Sequence, residues 1–180
     1  MTSRAARVAV LSSALSLALL AAPAANAQRL AVDDPSGDAP NGELDITRAS
    51  LANRDYRLVA RVTFADNERG DVIVGVDRRH GTGIRMVAHR SADGSVRGRL
   101  LPIAFTDHDA GSDVTCRRLM VSWDDDRSRV TLRMPSRCWN DGDYGAVRYA
   151  VLTERRGADS DWAPEGPDGE DDTSAWVARG

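Results

Sequence analysis

The chain is expected to fold as an all-β protein, a single antiparallel two-sheet β-sandwich, jelly-roll-like, with about 8–10 strands and one disulfide. Three observations predict this. Apolar residues recur with a period of two through most of the chain, as in Leu58, Ala60, Val62 and Phe64 or Val72, Val74 and Val76. Turn-forming clusters such as Asp66-Asn-Glu-Arg-Gly70, His80-Gly-Thr-Gly83 and Ala92-Asp-Gly94 separate these runs at roughly ten-residue spacing. Two cysteines, Cys116 and Cys138, stand at the outer ends of a pair of alternating runs.

Residues 1–27 read as a secretory signal peptide. Arg4 and Arg7 give a basic start, 8–22 is apolar, and Ala25-Asn26-Ala27 fits small-x-small cleavage before Gln28. The apolar run is about 15 residues, short of the ~20 a spanning helix needs, and no later stretch could cross a bilayer. The expectation is a secreted, extracellular protein whose domain is residues 28–180. Export to an oxidising space suits a disulfide.

The following runs are read as strands at 29–32, 44–51, 56–64, 72–76 and 84–88, then Val96–Leu101 ending before Pro102. The run at 56–64 places Tyr56 in line with the apolar positions. The cysteine-flanked pair comes next. Leu119, Val121 and Trp123 alternate on its first strand, Val130, Leu132 and Met134 on its second, and the turn falls at 125–128. Facing Val121 with Leu132 and Leu119 with Met134 leaves the cysteines one residue out of register. An irregularity at Pro135 and Ser136 corrects this, since proline cannot donate to the ladder. Opposed residues then lie about 4.5–5.5 Å apart, close enough for a Cys116–Cys138 bond. Strands at 146–153 and 175–178 complete the set. Between them, 157–172 holds seven acidic residues and no basic one, and reads as a long loop, solvated in the first place, folded back on the slightly basic body in the second and bound to a cation in the third.

The chain has 24 Lys plus Arg against 27 Asp plus Glu, a formal net charge of −3, and all 24 cations are arginine. Loss of Arg4 and Arg7 with the signal peptide takes this to −5. Arginine gathers on one half of alternating strands, at Arg57, Arg61, Arg97 and Arg99. Because acids are interleaved in sequence, this pattern reads as a solvated outer face rather than a nucleic-acid surface.

The most specific candidate site is Asp33-Asp-Pro-Ser-Gly-Asp38 followed by Leu44-Asp-Ile46. Carboxylates closely spaced around a Pro and Gly turn can bring several hard oxygens to one point, as calcium requires. Asp34, Asp38 and Asp45 are the candidate ligands; the structural alternative is a turn in which these side chains accept backbone N–H bonds. With the entry into a strand and the later Val74-Gly-Val-Asp77, this segment resembles the first part of domains related to family 9 carbohydrate-binding modules. The resemblance covers about 32–77 and implies a secreted, calcium-stabilised sandwich, with Asp34, Asp38 and Asp45 carried over as ligands. The segment Met134-Pro-Ser-Arg-Cys-Trp139 is similar to small secreted actinobacterial proteins without an assigned role.

Trp139, Tyr144 and Trp162 are the aromatics that could form a sugar-stacking platform, although packing in the core is the more ordinary use of each. No Gly-x-Ser-x-Gly elbow, His-Glu-x-x-His pair or phosphate loop is present. The expected function is therefore non-catalytic: an extracellular binding domain, monomeric, for a glycan or another protein. A structural or inhibitory protein without a small ligand is the alternative. A hydrolase built on His108, within Asp107-His-Asp109, and loop carboxylates ranks third.

Overall fold

The computed structural model describes residues 29–40, 43–66, 68–109, 111 and 114–180, with backbone alone at 159 and 160. The signal-peptide segment 1–27 lies outside the described residues. The rest forms ten strands: β1 Arg29–Asp33, β2 Ile46–Arg54, β3 Arg57–Phe64, β4 Asp71–Arg78, β5 Ile84–Arg90, β6 Val96–Leu101, β7 Met120–Asp124, β8 Arg129–Pro135, β9 Val147–Arg155 and β10 Ala158–Ala163. They make two antiparallel sheets, ordered β1-β2-β3-β8-β7 and β10-β9-β4-β5-β6. The predicted two-sheet sandwich is the observed architecture.

Alternation decides which face of each strand is buried. On the first sheet Leu58, Ala60 and Val62 of β3 and Val130, Leu132 and Met134 of β8 point inward. On the second, Val72, Val74 and Val76 of β4 and Ile84, Met86 and Ala88 of β5 meet them. Burying a side chain of this size contributes about 1.5–3 kcal/mol, so this two-period pattern is the main driving force for stacking the sheets. Polar groups inside the sandwich are bonded across it. The Tyr149 hydroxyl of β9 lies 3.2 Å from both the Leu30 and Ala49 carbonyls of the opposite sheet. Asn53 Nδ2 donates to the Gly145 and Val177 carbonyls.

The β7–β8 register sets Val121 opposite Leu132, as alternation predicts. Leu119 lies before β7 rather than opposite Met134, in a turn closed by its N–H on the Cys116 carbonyl. The register offset is resolved after Pro135, where Ser136–Cys138 turns in a short 3-10 helix instead of a bulge. Cys116 and Cys138 are bonded with Cα atoms 5.2 Å apart.

Three readings need correction. Tyr56 is 62% exposed, because the chain is already turning between β2 and β3 there. Segment 175–178 contributes one isolated bridge, Val147 to Val177, rather than a strand. The acidic stretch 157–172 is not loop throughout: its first part is β10, hydrogen-bonded along β9. Backbone pairing along an available edge outweighs the low strand propensity of Asp, Ser and Ala there.

Between β6 and β7 the chain runs back over the outer face of the second sheet. Phe105 lies directly on Gly75 of β4, where an added Cβ would overlap its ring. The guanidinium of Arg85 sits 4.5 Å from the Phe105 ring centre, and Trp162 packs on that ring at 4.7 Å.

Candidate metal centre

The N-terminal turn folds around one carboxylate. Asp45 Oδ2 accepts the Gly37 N–H at 2.7 Å and the Ser36 hydroxyl at 3.4 Å. This turn carries Asp34 and Asp38 to the mouth of the sandwich. Leu44, just before Asp45, is fully buried with φ of 54°. A bulky residue in the left-handed region costs on the order of 1–2 kcal/mol. That cost is borne at the point where Asp45 is aimed at the turn.

A second strand completes the cluster. β10 has a register shift between Asp159 and Asp161, and β2 has one between Ile46 and Arg48. Irregularities of this kind re-aim side chains. Here they let Asp161 reach across the sandwich, so that its Oδ2 accepts the Ile46 N–H at 2.5 Å while Oδ1 accepts the Trp162 N–H at 2.8 Å. One carboxylate oxygen each from Asp34, Asp38 and Asp161 then lie within 4.8 Å of one another. Oxygens sharing a calcium ion at its usual 2.3–2.6 Å can be no more than about 5 Å apart, so this spread fits one ion.

Burial and mutual repulsion set the electrostatics of the cluster. Asp34 is 9% exposed and both of its carboxylate oxygens are buried without a hydrogen-bond partner; Asp45 Oδ1 is likewise unpartnered. Burial pushes the Asp34 carboxyl up to about 7, aided by the negative charges of Asp161, Asp38, Glu165 and Asp45. Burial also raises Asp161 to about 6, against the lowering effect of its two backbone hydrogen bonds. Every donor in the cluster is oxygen, with no imidazole or thiolate, which suits a hard divalent cation.

Of the ligands predicted from sequence, Asp34 and Asp38 are brought together. Asp45 stands beside them but spends one oxygen on the turn. Asp161 was missed, because no local pattern in an acidic stretch says that β10 returns over the start of β2.

The sugar-stacking platform is not formed. Trp139 and Tyr144 do stack on each other, with centroids 4.8 Å apart, but they are 4% and 5% exposed and belong to the core. Trp162 packs instead on Phe105 and donates its Nε1–H to the Asp172 carbonyl. Aromatic area is spent where burial rewards it most. The Asp107 carboxylate accepts the Gly83 and Ala104 N–H groups, so it braces a loop rather than orienting the neighbouring His108, which is exposed. An open cleft of about 660 Å³ lies beside the disulfide and is lined, among the described residues, by Arg78, Arg137, Trp139 and others, none of them histidine.

No protein-family model, curated protein or solved structure matches this chain.

Proposed function

We propose that this chain is an exported, non-catalytic β-sandwich binding domain whose N-terminal turn is tied to β10 by a calcium ion. The observation that carries the calcium reading is Asp34, a buried carboxylate with two unpartnered oxygens at the centre of an all-acid cluster. An unpartnered buried polar group is rare in folded proteins, and a bound ion is one of the ways such a group is satisfied. A divalent cation would satisfy Asp34, Asp38 and Asp161 together. The resemblance to family 9 carbohydrate-binding modules supports the same reading. Burial of Trp139 and Tyr144 favours recognition through an outer face over stacking of a small sugar.

Calcium is tested by thermal unfolding of the purified protein in calcium and in chelator. A binder of free ion gains stability by mass action, about 2.7 kcal/mol at a hundred times the dissociation constant. Identical melting under both conditions refutes the calcium reading. The non-catalytic reading fails if the pure protein turns over a glycan or peptide.

A further inference from the structure

The arginines that look interleaved with acids along the chain are sorted by the fold onto one surface. On β3 the outward positions are Arg57, Val59, Arg61 and Thr63, opposite the inward Leu58, Ala60 and Val62. On β8 they are Arg129, Thr131 and Arg133, and in register Arg61 faces Thr131 while Val59 faces Arg133. β2 adds Arg48 and Arg54, and β1 adds Arg29 beside Ala52. The outer face of the first sheet is therefore a field of guanidinium groups over small residues. Ser50, Ala52, Val59 and Thr131 are buried beneath them, although they point away from the core.

Among the described residues, acids pair with this face at its corners. Arg48 pairs with Asp33 on β1 and Arg129 with Asp124 on β7. Among the described residues, Arg29, Arg54, Arg57, Arg61 and Arg133 have no ion pair. Arg54 and Arg57 are directly opposed in the β2–β3 ladder, an arrangement that costs stability. At Arg61 the charge is opposed by burial and by Arg29, Arg133, Arg129 and Arg54 around it. A chain of negative net charge thus concentrates uncompensated positive charge on one flat face about 20 Å across, five strands wide.

We propose that this face of the first sheet binds a linear anionic polysaccharide. The inference gives a partner to the binding-domain reading above and is independent of the calcium site. Arginine forks pair with carboxylates bidentately, and the outward Thr63, opposite Arg129, and Ser122, opposite Thr131, offer hydroxyls to a sugar. Among the described residues the face's exposed aromatic ring is Tyr56 at its end, with the Arg57 guanidinium 5.0 Å from the ring centre, so there is no row of rings to stack successive unpaired bases as single-strand readers have. Its exposed large apolar residues, Met120 and Tyr56, sit at its edge and end, so there is no apolar wedge for a membrane.

The test is a binding titration of the purified protein with short oligouronates at 50 mM and 300 mM salt, with duplex DNA and anionic lipid vesicles in parallel. Oligouronate binding that weakens at least about tenfold between the two salts is expected. Arg61→Ala/Arg133→Ala should weaken it about tenfold, as should the more exposed pair Arg29→Ala/Arg54→Ala. Arg97→Ala/Arg99→Ala, on β6 of the other sheet, should leave it unchanged. The inference is overturned by absence of oligouronate binding, by DNA or vesicles binding as tightly, or by equal losses in the β6 control. The calcium-dependent melting shift is measured on the same preparations. A normal shift without oligouronate binding sinks this inference alone.

Discussion

Reducing the Cys116–Cys138 bond isolates a single term in the stability of the sandwich. The bond joins residues 22 apart in sequence, at the base of the β7–β8 hairpin. In the chain-entropy model a loop of this size restricts the unfolded state by ~3 kcal/mol at 25 °C. Reduction leaves every side chain in place, and both cysteines are packed against the core, so little else changes. For a domain of this length each kcal/mol moves the midpoint by about 2–4 °C, giving a fall of roughly 10 °C. The assay is urea and thermal unfolding by circular dichroism, oxidised against reduced, at fixed calcium. A Cys116→Ala/Cys138→Ala variant should fall by at least as much, having lost some packing as well. A change equivalent to less than about 1 kcal/mol would refute the reasoning, because the native hairpin would then restrict the unfolded chain as well as the link does.

Three further outcomes follow from particular contacts. Tyr149→Phe removes a buried hydroxyl shared by the Leu30 and Ala49 carbonyls and should cost about 1 kcal/mol in urea unfolding. Gly75→Ala sets a Cβ into the Phe105 ring; it should cost about 1–3 kcal/mol as the covering segment is displaced, with a change in Trp162 fluorescence. Asp34 and Asp161 have carboxyls raised above 3.8, to about 7 and about 6. In chelator their protonation stabilises the fold fully below the ordinary carboxyl range, and that stability is lost as pH rises through about 6–7. The proposed calcium would bind the ionised cluster, so the calcium-minus-chelator difference in melting temperature should widen from pH 5 to pH 8. A constant difference would count against these shifts.

The sandwich could be read from the chain because alternation is a local signal. Val121 facing Leu132 follows from the pattern of each strand, and the cysteine pairing follows from that register once one irregular residue is placed after Pro135. Edges were harder to read. β10 has little apolar character and exists because β9 leaves backbone groups to pair, a fact about the neighbour rather than the segment. The acidic cluster divides in the same way. Asp34 and Asp38 share a turn with Asp45 and were visible together, whereas Asp161 joins them across the sandwich through a register shift that no sequence pattern marks. The sorting of the arginines was harder to read for a related reason. Counting charges along the chain mixes the two faces of every strand, and pleating then separates Arg57 and Arg61 from the acids near them in sequence.

The most direct measurement for the account is calorimetric titration of calcium into wild-type protein and into Asp161→Ala. If the N-terminal turn and β10 share an ion, wild type binds one calcium per chain and Asp161→Ala weakens it at least about tenfold, about 1.4 kcal/mol. Absence of calcium binding to the wild type, or equal affinity in the variant, would contradict a shared site.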